Sequence, residues 1–321
     1  MKYQIIENKD EFIWNSLLDE VDNSIFSRDF FVKPLGVTYK KFAILDKKTV
    51  KACFCILLDE DEKKIIDNDY VIHSGLYILE RNLKKNPGSK NNEIFDITSD
   101  FVSFIVLNYK EIDINLNISI KDVRPFLWHN YFESEDKKFK VDLRYTTILN
   151  LDLLDKSDDL QSQLFQNFSE LRRRNIRSSR NNSITFSYDI TINSLIEAHI
   201  SHLNNQNQSV SNNQKIQMYD LIYSLVKSKK AIIQGAFIDG DLKYIVCYAF
   251  DDISAYFLFG APIGDNDFNF LGTASHFNMC NYLKSKNIKQ VNLEGVNSPD
   301  RGKFKLSLGG ELIQYFSLRI N

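Results

Sequence analysis

The sequence predicts an α+β fold in which mixed, largely antiparallel sheets are flanked by helices. Short apolar runs rich in β-branched and aromatic residues recur in both halves, separated by charged turns, as is typical of strands. Between them lie segments with apolar residues at helical spacing, such as residues 98–110 and 273–286. In the second half the order is strand, two helices, three-strand meander, helix, strand and final strand. This order indicates a mixed sheet.

Length and charge limit the classes of function. The 321 residues suffice for two domains of about 150 residues each. The 40 Lys and Arg and the 42 Asp and Glu residues give a formal net charge of −2. General nucleic-acid binders usually carry a basic excess. We therefore expect any recognition of an anion to be local.

The sequence also predicts where the protein resides. Residues 1–14 mix charged and apolar side chains and lack the apolar core of a signal peptide. No uncharged apolar run approaches the roughly 20 residues of a membrane span. The four cysteines form no C-x-x-C motif, which favours buried free thiols in a reducing compartment. We expect a soluble cytoplasmic protein with no membrane span.

The first half is predicted as one domain, residues 1–151. The predicted strands are residues 41–45, 51–58, 70–79, 114–120 and 140–151. The helix predicted at 98–110 lies between the third and fourth of them. This outline loosely resembles that of the second half.

The second domain is predicted at residues 152–321 and opens with a long helix at about 158–181. Four apolar residues spaced by four, four and three positions define its packing stripe: Leu160, Leu164, Phe168 and Leu171. Five arginines follow within nine positions of the stretch LRRRNIRSSRNN. At about 100° per residue, Arg173, Arg177 and Arg180 fall on the side opposite the stripe, and Arg172 and Arg174 lie on the two flanks. The sequence therefore predicts a ridge of cations facing away from the helix's own packing.

A hairpin and a strand–helix–strand unit complete the second domain. Asp239-Gly240 between two alternating apolar runs predicts a type I′ turn, because Gly accepts positive φ readily. A third strand at 254–261 is followed by a loop with two glycines, Gly264 and Gly272. A helix and a strand at 289–295 come next.

Three stretches carry a resemblance to a known family. They are DVRPFLWHNY leading into KVDLRYTTILNL, then NFSELRRRNIRSSRNNSITFSY, and the C-terminal run from YFLFGA through LGTASHF and KNIKQVNLEGVN to GKFKLSLGG. They resemble the FemAB-like acyltransferases, which carry two GNAT-type cores in tandem. The last stretch is similar to that family's terminal pattern of glycine, spacer, Phe-Lys and glycine. The resemblance covers the chain from about residue 120 onwards.

The resemblance implies two tandem GNAT-like domains and an N-acyltransferase. The expected reaction moves an acyl group, with acetyl expected, from acyl-CoA to an amine of a nucleotide-linked amino sugar or cell-envelope precursor. The acyl-CoA, expected as acetyl-CoA, is a co-substrate, and no metal is expected. The alternatives are an aminoacyl-tRNA-dependent peptidyltransferase of peptidoglycan precursors and a non-catalytic scaffold. The chain lacks the long helical hairpin of some tRNA-using members, so tRNA is the disfavoured partner.

Glu294 is the predicted general base. GNAT-like folds splay two parallel strands apart to admit the donor, and here these would be 254–261 and 289–295. Glu294 ends the second of them, where burial can raise the pKa of a carboxyl group. The alternative is an ion-paired carboxylate at a strand end. Asp300 and Glu311 are weaker candidates.

Basic residues are predicted to bind phosphate. Lys305 matches the terminal lysine of the resembled family, and strand-like alternation would place Lys303 on the same face. Arg301 in the preceding turn can join them. The alternative is a solvated basic edge strand.

The arginine ridge offers a second phosphate contact. Arg173 and Arg177 are the candidates, because a guanidinium binds phosphate through two parallel hydrogen bonds. A solvated helix face is the alternative. Alanine at both positions is expected to raise KM several-fold if the ridge binds a ligand.

Three further groups complete the candidates. Arg124 and Trp128 lie in an irregular proline-containing segment and can form the wall of an acceptor pocket or pack between domains. Gly264 and Gly272 only partly replace the Q/R-x-x-G-x-G/A loop that cradles CoA in single-domain GNAT enzymes. His199 and His202 have helical i, i+3 spacing but no third ligand nearby in sequence, so no metal site is predicted.

Overall fold

The structure is a computed structural model and describes residues 1–22, 24–155, 157–264 and 268–320. The chain forms two compact units. Unit 1 contains residues 1–144 and the C-terminal residues from 314 onwards, and unit 2 contains Tyr145–Ile313. Both combine helices with a largely antiparallel sheet, which confirms the predicted α+β class.

Unit 1 is a sheet covered by one long helix. Its strands are β1 (Gln4–Glu7), β2 (Thr38–Asp46), β3 (Thr49–Leu58), β4 (Lys64–Ile65), β5 (Leu76–Ile78), β6 (Glu111–Asn115) and the C-terminal part of β13 (Glu311–Ile320). Its helices are α1 (Glu11–Leu18), α2 (Asp29–Val32), α3 (Pro87–Asn108) and α4 (Arg124–Leu127). The strand order is β1-β2-β3-β4-β6-β13, and β5 also pairs with β3. Helix α3 begins where Asn86 caps the Ser89 N–H and Pro87 takes the first turn.

Unit 2 carries the meander predicted from the sequence. Its strands are β7 (Lys140–Asn150, from Tyr145 onwards), β8 (Thr185–Ser187), β9 (Ala231–Ile238), β10 (Asp241–Phe250), β11 (Ser254–Pro262) and β12 (Gln290–Gly295). Its helices are α5 (Gln163–Asn167), α6 (Glu170–Asn181), α7 (Ile192–Asn205), α8 (Asn212–Lys227), α9 (Leu271–Ser285) and α10 (Pro299–Leu306). The order is β7-β12-β11-β10-β9-β8, with only the β11–β12 pair parallel among the pairs described within this unit. Asp239 and Gly240 both have positive φ in the two-residue β9–β10 turn, as predicted.

The boundary between the two units differs from the predicted division at residue 151. Residues 145–151 belong to unit 2, and the end of the chain returns to unit 1. This return has a main-chain cause, because residues Ser317 to Ile320 of β13 pair antiparallel with β6. Sequence patterns within a strand do not identify its distant partner.

The predicted long helix at 158–181 is wrong, because two shorter helices replace it. Phe168 adopts an extended conformation between α5 and α6, and its ring is buried 5.8 Å from that of Phe277. Ser162 and Ser169 each occupy the N-cap position of a new helix. The break also changes which face of α6 is buried, so that Leu171 is exposed. Core packing of Phe168 thus overrides the helical periodicity.

The basic strand predicted around Lys303 and Lys305 is also wrong. These residues lie in α10, which begins at Pro299 after the N-cap residue Ser298. Proline is preorganised for the first helical position. Residues two apart on a helix do not share a face, and accordingly Lys303 is exposed whereas Lys305 is partly buried.

Gly309 ends this region in a position that other residues cannot occupy without strain. Its φ is +71°, and a Cβ atom there would overlap the carbonyl oxygen of Asn167. We expect Gly309→Ala to lower the free energy of unfolding by about 2–4 kcal/mol, through left-handed backbone strain and overpacking. Gly240→Ala is the matched control, because Gly240 also has positive φ but open space around it. Urea denaturation checks both, and equal losses would contradict the packing part of this account.

Candidate functional site

Strands β11 and β12 separate after a short parallel pairing. Their register joins Ser254, Ala255 and Tyr256 to Gln290, Val291 and Asn292. Beyond these pairs β11 continues to Pro262 and β12 continues to Gly295. A bulge adds to the distortion of β11, because its register with β10 skips Leu258. The parallel pairing of β11 with β12 therefore ends at Tyr256 and Asn292.

Glu294 lies in the diverging end of β12, in a second bulge. Against β7, Asn292 pairs with Ile148 and Gly295 pairs with Thr146, so β12 carries one extra residue there. Glu294 has φ +60°, which a non-glycine residue rarely adopts. The side-chain oxygen of Asn292 accepts hydrogen bonds from the Glu294 N–H at 2.8 Å and from the Thr146 hydroxyl at 2.6 Å. Strain of this kind persists only where the surroundings fix it, and it clusters at functional sites.

The Glu294 carboxyl group is buried and incompletely paired. The residue is 8% exposed, and no described residue hydrogen-bonds its Oε1. Burial raises the pKa of Glu294 well above the usual carboxyl range, and the nearby Lys305 ammonium opposes this rise. The group can therefore hold or accept a proton at a pH where an ordinary surface carboxylate cannot.

Lys305 is the cationic neighbour of Glu294. Its Nζ donates to the carbonyl oxygen of Gly295 at 3.1 Å and lies 5.4 Å from the centre of the Phe257 ring. Burial lowers the pKa of Lys305, the Glu294 carboxylate raises it, and the charge of Arg301 lowers it further. The site thus joins an acid with a raised pKa to a base with a lowered pKa.

Gly302 lets α10 approach the end of β12. A Cβ atom at this position would overlap the carbonyl oxygen of Val296. The close approach places Lys305, one turn later, against the main chain that follows Glu294. The Ser-Pro start of α10 and Gly302 together bring Lys305 to the site.

His276 on α9 is a buried residue of this site that the sequence analysis missed. Its Nδ1 hydrogen-bonds the hydroxyl of buried Tyr248, and no described residue forms a hydrogen bond with its buried Nε2. The ring lies 4.7 Å from Phe257 and 5.5 Å from Phe304, centre to centre. Burial lowers the pKa of His276 to about 3, and the charges of Lys305 and Arg172 add to the effect. The imidazole is therefore neutral.

Arg172, next to the predicted ridge on α6, points inward. Its Nε donates to Ser307 Oγ at 2.7 Å, and its guanidinium lies 4.6 Å from the centre of the Phe304 ring. Burial lowers the pKa of Arg172. By contrast, Arg173 donates to Gln166 and Arg177 lies over the Phe165 ring, both on α5. Ligand binding by Arg173 and Arg177 remains a proposal.

Arg301 lies at the edge of the site. It is exposed on the first turn of α10, and its charge reaches His199 and His202 on α7 as well as Lys305. Burial is the main cause that lowers the pKa values of both histidines. Within the described ranges, no group of three His, Cys, Asp or Glu side chains is arranged to hold a metal ion.

Arg124 and Trp128 lie in unit 1 and not among the residues just described. Arg124 forms a two-pronged ion pair with Asp122 and packs over the rings of Phe95 and Trp128. Trp128 is about half exposed. Their predicted contact with an acceptor remains a proposal.

The glycine loop is only partly described, because residues 265–267 lie outside the described ranges. Gly264 has φ +68° and open space around it. Gly272 lies in the first turn of α9, where a Cβ would come 3.2 Å from the Tyr244 hydroxyl. Packing against Tyr244 alone explains a glycine at 272, so binding of a co-substrate by either glycine is still a proposal.

Comparison with known proteins relates this fold to solved structures. No family model matches the sequence, and no curated protein matches it. FemX superposes with a TM-score of 0.64 at 12% identity over 98% of this chain and 96% of FemX. A tandem GNAT protein from the clavulanic acid biosynthesis pathway, solved without AcCoA, gives 0.52 at 10% identity over 99% and 97% of the two chains. The C-terminal domain of a putative lysylphosphatidylglycerol synthetase from Agrobacterium fabrum gives 0.53 at 9% identity over 96% and 92%.

These similarities extend over nearly the whole of each chain. At such low sequence identity they show only the fold. The chemistry has to be inferred from the residues of the site. None of the helices in the described part of the chain has the length and apolar character needed to span a membrane.

Proposed function

We propose, from the premise that this chain has a tandem GNAT-type fold similar to that of FemX, that it is an N-acyltransferase. The observation that carries the proposal is the divergence of β11 and β12 beside Glu294. The open edge of β11 is suited to bind the donor as an additional extended segment. The amine acceptor would then approach the reacting carbonyl next to the Glu294 carboxylate.

Glu294 and Lys305 would share the proton transfers. As the amine nitrogen attacks the thioester carbonyl, the C–N bond forms and the Glu294 carboxylate takes the amine proton. The C–S bond then breaks, and the Lys305 ammonium gives its proton to the leaving thiolate. A proton passed from Glu294 to Lys305 restores the starting state. Their oppositely shifted pKa values favour this assignment.

The residues of β11 fit one part of a thioester donor, its pantetheine arm. The end of the β11–β12 pairing at Tyr256 and the Leu258 bulge fit an extended pantetheine arm, which needs main-chain partners. We therefore retain acyl-CoA, with acetyl-CoA as the simplest form, and an amine on a nucleotide-linked amino sugar or cell-envelope precursor as acceptor. A reducing, cytoplasmic location belongs to the same proposal, and the four cysteines of the chain are all free and buried.

A second candidate keeps the fold and exchanges the donor for aminoacyl-tRNA. The similarity to FemX and to the putative lysylphosphatidylglycerol synthetase domain favours it. Glu294 would again take the amine proton, and the leaving group would be a ribose hydroxyl. The net charge of −2 argues against a broad tRNA-binding surface. A scaffold without activity is the third candidate, and the strained and buried Glu294 disfavours it.

Ligand-induced thermal shift tests the proposal and separates these candidates. Purified protein would be screened against acyl-CoAs, UDP- and dTDP-amino sugars and charged tRNA. A ligand at 100 times its Kd is expected to raise the free energy of unfolding by about 2.7 kcal/mol. Stabilisation by acyl-CoA supports the main proposal, and stabilisation by charged tRNA alone supports the second. No stabilisation by any donor would contradict both.

A further inference from the structure

Arg172 carries a charge that no carboxylate of the described residues neutralises. Its neighbours on α6 are paired differently, since Arg174 lies 3.9 Å from Glu170 and Arg180 lies 2.6 Å from Asp159. Arg172 is instead held by neutral groups: the Ser307 hydroxyl at 2.7 Å, the Thr273 hydroxyl at 3.4 Å and the Phe304 ring. Among the described residues nothing accepts a hydrogen bond from its Nη2. The guanidinium is thus fixed in place with both N–H groups of Nη2 available.

His276 offers a third donor beside the same aromatic ring. The pKa of Tyr248 is raised far above its usual value by burial, so this hydroxyl keeps its proton and can donate it to Nδ1 of His276. In that arrangement the neutral ring carries its own proton on Nε2. This nitrogen is buried and unpartnered among the described residues, and a buried donor without an acceptor is energetically unfavourable. Such a cost is removed when a ligand supplies an acceptor.

The charges around this pocket favour an anion. The charges of Lys305 and Arg172 both act on His276, and within the described part of the chain the carboxyl group that acts on Lys305 is that of Glu294. Arg301 adds a further positive charge near Lys305. His276 therefore lies in the field of two cations, and burial raises the pKa of Glu294, which keeps part of its negative charge away from the site.

We propose that Arg172, His276 and the ring of Phe304 form a binding pocket for an oxyanion of the substrate, either a carboxylate or a phosphate. The guanidinium would bind two oxygens, which Lys cannot imitate, and His276 Nε2–H would bind one of them or a third. This inference rests on the proposed function and specifies it, since one substrate of the acyl transfer must then carry an acidic group near the reacting centre. The pocket differs from the arginine ridge, because Arg172 is the member of LRRRNIRSSRNN that turns away from it.

The test measures binding of small anions and requires no acyl transfer. Inorganic phosphate, pyrophosphate and succinate would be titrated into the full chain by calorimetry, in chloride buffers of equal ionic strength. We expect at least one of them to bind. Tighter binding of phosphate or pyrophosphate identifies a phosphorylated substrate, and tighter binding of succinate identifies a carboxylate.

Variants of α6 assign the binding to the pocket. Arg172→Gln removes the charge and the two-pronged geometry, so its Kd is expected to rise about tenfold or more. Arg172→Lys keeps a positive charge on an aliphatic side chain that can pack over Phe304. It is expected to weaken binding about threefold or more, because an ammonium group cannot form the two parallel hydrogen bonds of a guanidinium. Arg174→Gln is the matched control on the exposed side of the same helix and is expected to bind like wild type. Melting temperatures without ligand check that each variant folds.

The outcomes separate this inference from the proposed function. Absence of binding by all three anions, or equal Kd values for wild type, Arg172→Lys and Arg174→Gln, overturns the pocket and leaves acyl transfer standing. Selective loss of binding in the Arg172 variants supports the pocket, even where no acyl transfer is detected with any donor.

Discussion

Glu294→Gln is expected to lower kcat by about 10²–10⁴-fold, because glutamine has the size of glutamate but cannot take a proton. KM should change little, since the amide preserves the shape of the bulge. Glu311→Gln is the matched control: Glu311 is an exposed carboxylate that was also a candidate base. Steady-state acyl transfer to an amine acceptor measures both. A kcat within threefold of wild type in Glu294→Gln would remove Glu294 from the mechanism.

The raised pKa of Glu294 also predicts two dependences on pH. Because the base must be ionised, kcat/KM should rise with pH on a limb above the usual carboxyl range, and Glu294→Gln should lack this limb. The free energy of unfolding should instead decrease as the pH rises. In the unfolded chain the pKa of this carboxyl group is about 4.3, which is lower than its pKa in the folded protein. The free energy of unfolding therefore falls as pH rises between the two pKa values.

Lys305→Met is the second change with a large expected effect. It keeps an unbranched stem beside Phe257 but removes the ammonium, and we expect kcat/KM to fall about 10²–10³-fold, as for other preorganised charges at reacting centres. The Lys305 charge also opposes the rise in the pKa of Glu294. Its loss should therefore move the ascending limb of the pH profile to still higher pH.

Lys303→Met is the control for Lys305. It removes the same charge two residues earlier on α10, from an exposed side chain. We expect its rates and its pH profile to equal those of the wild type. If Lys305→Met loses activity but the ascending limb of its kcat/KM–pH profile does not move, Lys305 acts in binding alone. Its effect on the pKa of Glu294 is then rejected.

The sequence predicted the parts of the site that lie in one continuous motif. The strand 289–295 ends in Leu-Glu-Gly, which placed Glu294 at a strand end, and the Phe-Lys of the terminal motif singled out Lys305. Local patterns were sufficient here because Lys305 lies on α10, the helix that directly follows the strand carrying Glu294, so the two residues are close in the chain. The bulge that strains Glu294 has no local signal, since it depends on the register with β7.

Residues that converge from separate helices could not be predicted in this way. In the sequence, His276 is indistinguishable from the other residues on the buried face of α9. Its hydrogen-bond partner Tyr248 is 28 positions away. Arg172 was assigned to a flank of the helix because the predicted stripe included Leu171. The break at Phe168 changed the phase of α6 and turned Arg172 towards Ser307. Tertiary packing decided both cases.

Hydrogen exchange of the amides in residues 257–261 and 293–295 measures whether an acyl donor binds between β11 and β12. We expect fast exchange of the β11 amides on the β12 side in the free protein, because the pairing with β12 ends at Tyr256. An acyl donor should then slow exchange in both segments while the distant hairpin at Asp239-Gly240 is unchanged. Segments that are already fully protected without a donor, or that exchange at the same rate when a donor is bound, would contradict a donor site between these strands.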